Sequence, residues 1–284
     1  MLPPLMQHGL SISSSTTCLG LCVLTALILV PLIGHRLEHL SRARVAVATI
    51  LLAVAALSGA RLHYLLLHWS YFREFPVAAL RLTQVGYHAA GAILAVAAVF
   101  PFIAAGFRIP LGKYVDVTAV ASGLSIAIAR VGCFLTGCCF GTTCNYPWCV
   151  SYPLESLAFS AHRARGIVGR GALESAHVHP IALYFALSGL LISAIALMLY
   201  ARKRYDGQVG LWCVATFALT TLCVELFRDD ADTGVRWLGI EQRLWMAGSL
   251  CVLATAAIAW RRAQDAAEAR LSSRLTGGRN AYSR

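Results

Sequence analysis

The sequence predicts an all-α polytopic membrane protein with seven transmembrane helices. Of its 284 residues, 58% are hydrophobic and only 13% are charged, and soluble domains carry about twice that share of charge. The mean hydropathy is +0.67. A helix needs about 20 apolar residues to cross a bilayer. Seven segments meet that requirement, at residues 16–34, 45–67, 86–107, 115–136, 180–200, 208–227 and 243–260.

The first apolar segment is interpreted as a retained helix. No Lys or Arg precedes Arg36, so the basic region that opens a cleavable signal peptide is missing. We predict one transmembrane domain over residues 1–260, with an extracytoplasmic loop at about 137–179. Residues 261–284 are predicted to form a basic cytoplasmic tail.

The distribution of basic residues predicts the orientation in the membrane. The net charge is +11, but the arginines are scattered through short loops, which does not favour nucleic-acid binding. One set of loops, together with the C-terminal tail, holds 14 Lys and Arg residues, and the other set holds 8. Cytoplasmic loops carry the excess of positive charge. The N-terminus is therefore predicted to lie outside and the C-terminus in the cytoplasm.

This orientation places nearly all the polar residues near the spans at one depth, that of the outer leaflet. Arg61 falls in the outer half of the second span, and Arg130 lies 14 residues after Asp116, about 21 Å along the fourth span. A charge at the centre of a lone helix costs roughly 2.5–3.5 kcal/mol, so such residues usually face a cavity. We predict a single cavity open to the outer leaflet.

Arg61 and Arg130 are candidates for binding a phosphate, because the guanidinium fork matches phosphate oxygens. They lie in the stretches GARLHY and ARVGCF. The alternatives are snorkelling to the interface or a structural pair with Glu225. Their common depth favours phosphate binding.

His88, in VGYHAAGA, is a candidate general base, since the pKa range of histidine suits proton transfer near neutral pH. The alternative is an interfacial histidine hydrogen-bonded to a neighbour. His63 is a weaker candidate for the same role. Glu225 and Arg228 stand three residues apart, and a simple pair on one helical face is the alternative to a functional role.

Five cysteines cluster around the end of the fourth span. Three interpretations stay open: one or two disulfides in an oxidising compartment, small-residue packing in a tight turn, and a metal site. The spacing lacks a paired C-x-x-C, which disfavours zinc, and a nucleophilic role lacks a base nearby in sequence. The cluster comprises Cys133, Cys138, Cys139, Cys144 and Cys149, of which the last four are the disulfide candidates.

Taken in order, these motifs resemble the prolipoprotein diacylglyceryl transferase family. The central stretch ARVGCFLTGCCFG is similar to the signature Gly-Arg-x-Gly-Asn-Phe-x-Asn-Gly-Glu-x-x-Gly. It is closer to a divergent branch that reads Gly-Arg-x-Gly-Cys-Phe-x-x-Gly-Cys-Cys-x-Gly. The supporting motifs are GARLHY (59–64), GYHAAGA (86–92), PWCVSYP (147–153), HPIALY (179–184) and VELFRDD (224–230).

The resemblance implies an activity. The diacylglyceryl group of phosphatidylglycerol would move to the lipobox cysteine thiol of a prolipoprotein, and glycerol phosphate would leave. The partners would be phosphatidylglycerol and prolipoprotein signal peptides, with no organic cofactor and no metal. The protein would lie in the bacterial cytoplasmic (inner) membrane, with its active site facing the outer leaflet.

The resemblance also implies roles for residues. His88 would take the thiol proton or orient the lipid, and Arg130 and Arg228 would hold the leaving phosphate. Glycines at the central motif would let backbone approach the headgroup. The implied substrate-binding residues are Arg61, Tyr64, Tyr87, Gly132, Cys133, Gly137, Gly141, His179 and Glu225.

The chain departs from the family signature at several positions. Ala129 replaces a glycine, and Ala182 replaces a glutamine. Cys133 and Cys138 stand where the standard signature has asparagine and glutamate. The alternatives are therefore a related membrane transferase with a different acceptor, or a non-catalytic phospholipid-binding or transport protein of the same fold.

Overall fold

A computed structural model describes most of the chain. The described residues are 5–7, 10–12, 14–79, 87–169, 171–229, 236–237, 240–241, 244–261 and 264. The predicted basic tail, 261–284, lies almost wholly outside them, so its assignment stays a prediction.

The prediction of an all-α protein with seven spans is confirmed. Seven helices within the described ranges are long and apolar enough to cross a membrane. They are α1 (Ser14–Glu38), α2 (Arg42–Leu67), α5 (Ala89–Gly106), α6 (Leu111–Thr136), α8 (Ile181–Tyr200), α9 (Gln208–Glu225) and α10 (Leu244–Arg261). The short helices are α3 (Trp69–Glu74), α4 (Pro76–Ala79) and α7 (Leu157–Ala164).

Four short strands form two antiparallel pairs outside the helices. One pair is β1 (Leu5–Gln7) with β2 (Leu10–Ile12), and the other is β3 (Arg236–Trp237) with β4 (Ile240–Glu241). The first pair precedes α1 and the second lies between α9 and α10 in sequence, so the architecture remains helical.

Helix α6 forms the centre of the packing. On one side its residues Tyr114 and Val117 pack with residues of α1 and α2, and on the other side Val120 packs with Ile192 of α8. Small residues let these helices approach closely: a Cβ atom on Gly123 would meet the Gly189 carbonyl oxygen at 2.5 Å. Close approach through small residues is a common way for helices to associate in a bilayer.

A buried charge network holds together the ends of four helices on one side of the bundle. The Lys203 ammonium lies 3.0 Å from Asp116 and 2.5 Å from Glu38, at the N-terminal end of α6 and the C-terminal end of α1. Asp116 also accepts the backbone N–H groups of Gly207 and Gly210 at the start of α9. Burial lowers the pKa of Lys203, but its bonds to Glu38, Asp206 and Asp116 outweigh burial and raise it. The lysine therefore remains charged.

The connection between α6 and α8 folds into a compact cap at the opposite end of the bundle. Phe140, Tyr152, Ala158 and Val178 form its apolar core, and Ser156 caps α7 by accepting the Phe159 N–H. Isolated β-bridges join its extended segments, such as the one between Val150 and Val178. The loop predicted at about 137–179 is thus an ordered element that covers the C-terminal end of α6.

Candidate functional site

The backbone reverses sharply where α6 ends, at Gly137. This residue has φ +63°, in the left-handed region. Its N–H donates to the Phe134 carbonyl, and the Cys138 N–H donates to the Cys133 carbonyl. These two bonds form a Schellman motif, in which glycine is preferred because it lacks a Cβ atom. The reversal brings Cys138 back alongside the last turn of the helix.

Three thiols meet at this turn. The sulfur atoms of Cys133, Cys138 and Cys139 all lie within 4.8 Å of one another, and Cys138 Sγ is 3.9 Å from Cys139 Sγ. All three side chains are half-buried. The sequence did not predict this convergence, because residues five apart become neighbours here only through the reversal at Gly137.

Arg130 points from α6 towards the thiol cluster. Its Nη1 donates to Cys139 Sγ at 3.8 Å, and its Cζ lies 4.4 Å from the ring centroid of Phe185. A cation over an aromatic face gains about 0.5–2 kcal/mol. The guanidinium is therefore positioned by one aromatic ring and directed at the turn, rather than snorkelling freely.

Arg228 reaches the same turn through a close backbone approach at Gly141. The two residues form an isolated antiparallel bridge, and the Gly141 N–H donates to the His179 carbonyl at 3.0 Å. A Cβ atom on Gly141 would meet the Phe227 carbonyl oxygen at 2.5 Å. Gly141 thus fastens the end of α9 and the start of α8 beside the α6 turn.

Glu225 pairs with Arg228 at 3.2 Å, and both side chains are largely buried. This is the pair that the spacing of three residues suggested. His179, also buried, has its Nδ1 3.0 Å from the Tyr184 hydroxyl oxygen. The carboxylate fixes the guanidinium, so the orientation of Arg228 is set before any ligand binds.

The electrostatics of the turn favour negative charge at Cys139. The thiols of Cys133 and Cys138, which direct hydrogen bonds towards Cys139, lower its pKa, and Arg130 and Arg228 lower it further. Burial acts in the opposite direction. The positive charges of Arg130 and Arg228 thus favour the anionic form of this thiol.

Arg61 forms a second group at the end of α2. The residue is 6% exposed, and Nη2 donates to the Ala79 carbonyl at 3.3 Å. Its Cζ lies 5.9 Å from the ring centroid of Tyr64 and 5.7 Å from that of Tyr87. Tyr87 is largely exposed, so this arginine sits behind aromatic rings at the edge of the bundle.

His88 pairs with His63 in this second group. Their Nδ1 atoms are 3.2 Å apart, so one ring donates and the other accepts. The pair meets because α2 and α5 touch through Gly59 and Gly91: a Cβ atom on Gly91 would lie 2.2 Å from the Gly59 carbonyl oxygen. The sequence named both histidines but not their contact. The other predicted glycine, Gly132, is buried within α6.

One disulfide joins Cys144 and Cys149 in the cap. Cys138 and Cys139 are free thiols, so of the one or two disulfides expected among the four candidates the structure has one. The reason is the position of the turn, which directs Cys138 and Cys139 at Cys133 and Arg130 and away from the cap.

Two aromatic residues at the site were not among the candidates named from the sequence. Phe185 packs against Arg130, and Tyr184 bonds to His179. Tyr184 lies in the HPIALY motif, which offered a signal. No sequence signal indicated a role for Phe185, because an apolar residue in an apolar span is expected to be a packing residue.

Comparisons with known proteins show which family this chain is similar to. The model of the family described as prolipoprotein diacylglyceryl transferase matches residues 7–261. A phosphatidylglycerol–prolipoprotein diacylglyceryl transferase of Nostoc sp. is 27% identical over 189 residues, which cover 64% of this chain and 63% of the relative. A protein of the same name from Geobacter sulfurreducens is 27% identical over 205 residues, 71% of this chain and 72% of the relative. The chain thus spans less than two thirds of the length of the Nostoc protein.

Substitution of Gly137 tests the importance of the reversal. Gly137→Ala adds left-handed strain of about 1–2 kcal/mol and places a Cβ atom 2.8 Å from Tyr152. Gly166→Ala is the matched control, since its φ is +72° but its Cβ would meet nothing within 4 Å. We expect Gly137→Ala to lower the thermal unfolding temperature of the purified protein well below that of Gly166→Ala. Equal losses in the two variants would show that the packing of the turn is unimportant.

Proposed function

The chain belongs to the prolipoprotein diacylglyceryl transferase family, and from that membership we propose that it transfers the diacylglyceryl group of phosphatidylglycerol to a prolipoprotein cysteine. The observation that carries the proposal is the convergence of two arginines on the turn after α6: Arg130 donates to Cys139, and Arg228 bridges Gly141. Two relatives that are 27% identical to this chain, over 189 and 205 residues, bear the name of this activity.

The two arginines suit a leaving phosphate. In the reaction, the acceptor sulfur forms a bond to the glycerol carbon of the lipid, and the bond from that carbon to the phosphate oxygen breaks. Negative charge builds up on the departing glycerol phosphate. Guanidinium groups aimed in advance at that charge stabilise the transition state more than the ground state. Glu225 and Phe185 hold Arg228 and Arg130 in place, which is the preorganisation that such stabilisation requires.

His88 is proposed to accept the proton of the acceptor thiol. Its contact with His63 at 3.2 Å provides a neighbour that orients the ring and relays the proton. Arg61, with Tyr64 and Tyr87 around it, is proposed to hold the lipid headgroup at the same end of the bundle. The aromatic rings there offer an apolar surface with a polar edge, as is common at a membrane interface.

We also propose that this end of the bundle faces the outer leaflet of the bacterial inner membrane. The charged network of Lys203, Glu38 and Asp116 marks the opposite end, where the predicted cytoplasmic loops meet. The bias of basic residues in the loops supports this orientation.

Fusion proteins test the orientation. Alkaline phosphatase fused to the C-terminus should be inactive in cells, because that enzyme needs the oxidising periplasm for its disulfides. Green fluorescent protein fused at the same point should fluoresce. Active phosphatase at the C-terminus would reverse the proposed topology.

The activity itself is tested in vesicles of phosphatidylglycerol. Purified protein is mixed with a lipobox peptide that carries one cysteine, and mass spectrometry measures the added diacylglyceryl group. We expect Arg130→Ala to reduce the rate by about 10²–10³-fold, the cost of removing one preorganised donor. Arg163→Ala is the matched control, because Arg163 is an exposed arginine of α7 in the same cap.

The outcomes separate the alternatives. A mass gain that is lost in Arg130→Ala and kept in Arg163→Ala supports the transferase. No gain with folded protein across several lipobox peptides would reject it, and phosphatidylglycerol binding under those conditions would indicate a non-catalytic lipid-binding protein.

A separate variant tests the proposed base. His88→Ala should lower kcat by about 10²–10⁴-fold, the usual range for a general base, with little change in the KM for the peptide. His68→Ala is the control, since His68 is exposed at the same end of α2 and stacks on Tyr64. Full activity of His88→Ala would remove the assignment, and loss in both variants would point to damage at the end of α2.

A further inference from the structure

We propose that Cys133, Cys138 and Cys139 bind a zinc ion whose fourth coordination position takes the acceptor thiol. The proposal rests on the proposed function for the identity of that thiol. Its structural part, a three-thiolate metal site at the end of α6, is independent of the reaction.

The geometry of the three thiols fits tetrahedral zinc. With Zn–S bonds of about 2.3 Å, neighbouring sulfurs of a tetrahedral site lie about 3.8 Å apart. Cys138 Sγ and Cys139 Sγ are 3.9 Å apart, and all three sulfurs lie within 4.8 Å of one another. Small rotamer shifts would bring Cys133 to the ideal separation.

The backbone holds the ligands in place without the metal. Cys133 is in the last turn of α6, and the Cys138 N–H bonds back to its carbonyl. Cys139 is held from the other side by Arg130. Zinc sites with three protein ligands and one open position are catalytic in type, whereas structural sites have four protein ligands. Among the described residues, the cluster offers three.

The surrounding charge favours a thiolate site. Three thiolates and one Zn²⁺ carry a charge of minus one, and a fourth thiolate would make it minus two. Arg130, whose guanidinium donates to Cys139 Sγ at 3.8 Å, and Arg228, whose backbone bridges Gly141 two residues further along the turn, offset that charge. Guanidinium donors to anionic acceptors form stronger bonds than neutral donors. The same two guanidinium groups would thus offset the negative charge of the metal site and that of the leaving phosphate.

The chemistry uses this arrangement directly. A zinc ion held by the three thiolates would lower the pKa of the acceptor thiol so that it binds as a thiolate at neutral pH, and the proposed base His88 would accept the released proton. Its sulfur electron pair forms the C–S bond as the C–O bond to phosphate breaks, and that pair leaves on the phosphate oxygen. No oxidation state changes. The product thioether is a weaker ligand than a thiolate, so it dissociates and frees the fourth position.

Two other groups of ligand-type residues do not compete with this site. Cys144 and Cys149 lie near His179, but the two cysteines form a disulfide. Glu38, Asp116 and Asp206 also converge, but the Lys203 ammonium occupies the position between them. Within the described part of the chain, the thiol cluster is the group suited to a soft divalent cation.

Metal content provides the first test. Protein purified without chelator from zinc-supplemented cells is analysed by plasma mass spectrometry, and we expect about one zinc per chain. Cys138→Ser and Cys139→Ser should each lower zinc retention by about tenfold or more. Cys251→Ser, a half-buried cysteine of α10, should keep the full content. Wild-type protein that holds no zinc, or variants that hold as much as wild type, would overturn the site.

Cobalt provides a second readout that needs no variant. Co²⁺ added to zinc-free wild-type protein should give thiolate-to-metal charge-transfer absorption in the near ultraviolet together with the visible bands of a tetrahedral ion. Addition of the lipobox peptide should shift these bands, and its Cys→Ser version should not. Octahedral cobalt spectra without charge-transfer absorption would contradict three-thiolate binding.

Activity separates this inference from the proposed function. If zinc activates the thiol, chelator-treated protein should lose peptide modification, and stoichiometric Zn²⁺ should restore it. Full modification by zinc-free protein would overturn the role of the metal and leave the transferase intact. One zinc per chain without any modification would establish the site, reject its catalytic role and count against the transferase.

Discussion

The reversal of the backbone at Gly137 is the feature on which the candidate site depends. Because its φ of +63° suits glycine, α6 ends there and the chain folds back over its own last turn. Cys138 and Cys139 then face Cys133 and Arg130. The cap that follows covers the turn, and its bridge from Gly141 to Arg228 brings the end of α9 to the same point.

The buried cations at the two ends of the bundle contact different kinds of groups. At one end Lys203 is surrounded by carboxylates, so the charges compensate one another and tie four helix ends together. At the other end Arg130 contacts an aromatic ring and a thiol. These contacts leave the positive charge of Arg130 available to an anion, which agrees with the role proposed for this end of the bundle.

The cysteines change the chemical character of the turn. In the standard signature, asparagine and glutamate stand at the positions of Cys133 and Cys138. Their replacement by thiols exchanges hard oxygen and nitrogen groups for soft sulfur, and a third thiol, Cys139, lies directly beside Arg130. A site with this composition suits both the phosphate of the proposed reaction and the zinc ion of the proposed metal site.

The sequence by itself determined the seven spans, because hydrocarbon demands long apolar helices whose backbone groups are satisfied internally. It also identified Arg61, Arg130, Glu225 and Arg228 as candidates. Placing a charged side chain in or beside an apolar span costs free energy, so such residues are rare and easily recognised in a sequence. Only the tertiary structure decided which cysteines meet: it paired Cys144 with Cys149 and left Cys138 and Cys139 as thiols. Phe185 and the His63–His88 contact were likewise decided by helix packing. Span composition is a local property, whereas the meeting of side chains from different helices depends on how closely and in what register those helices pack.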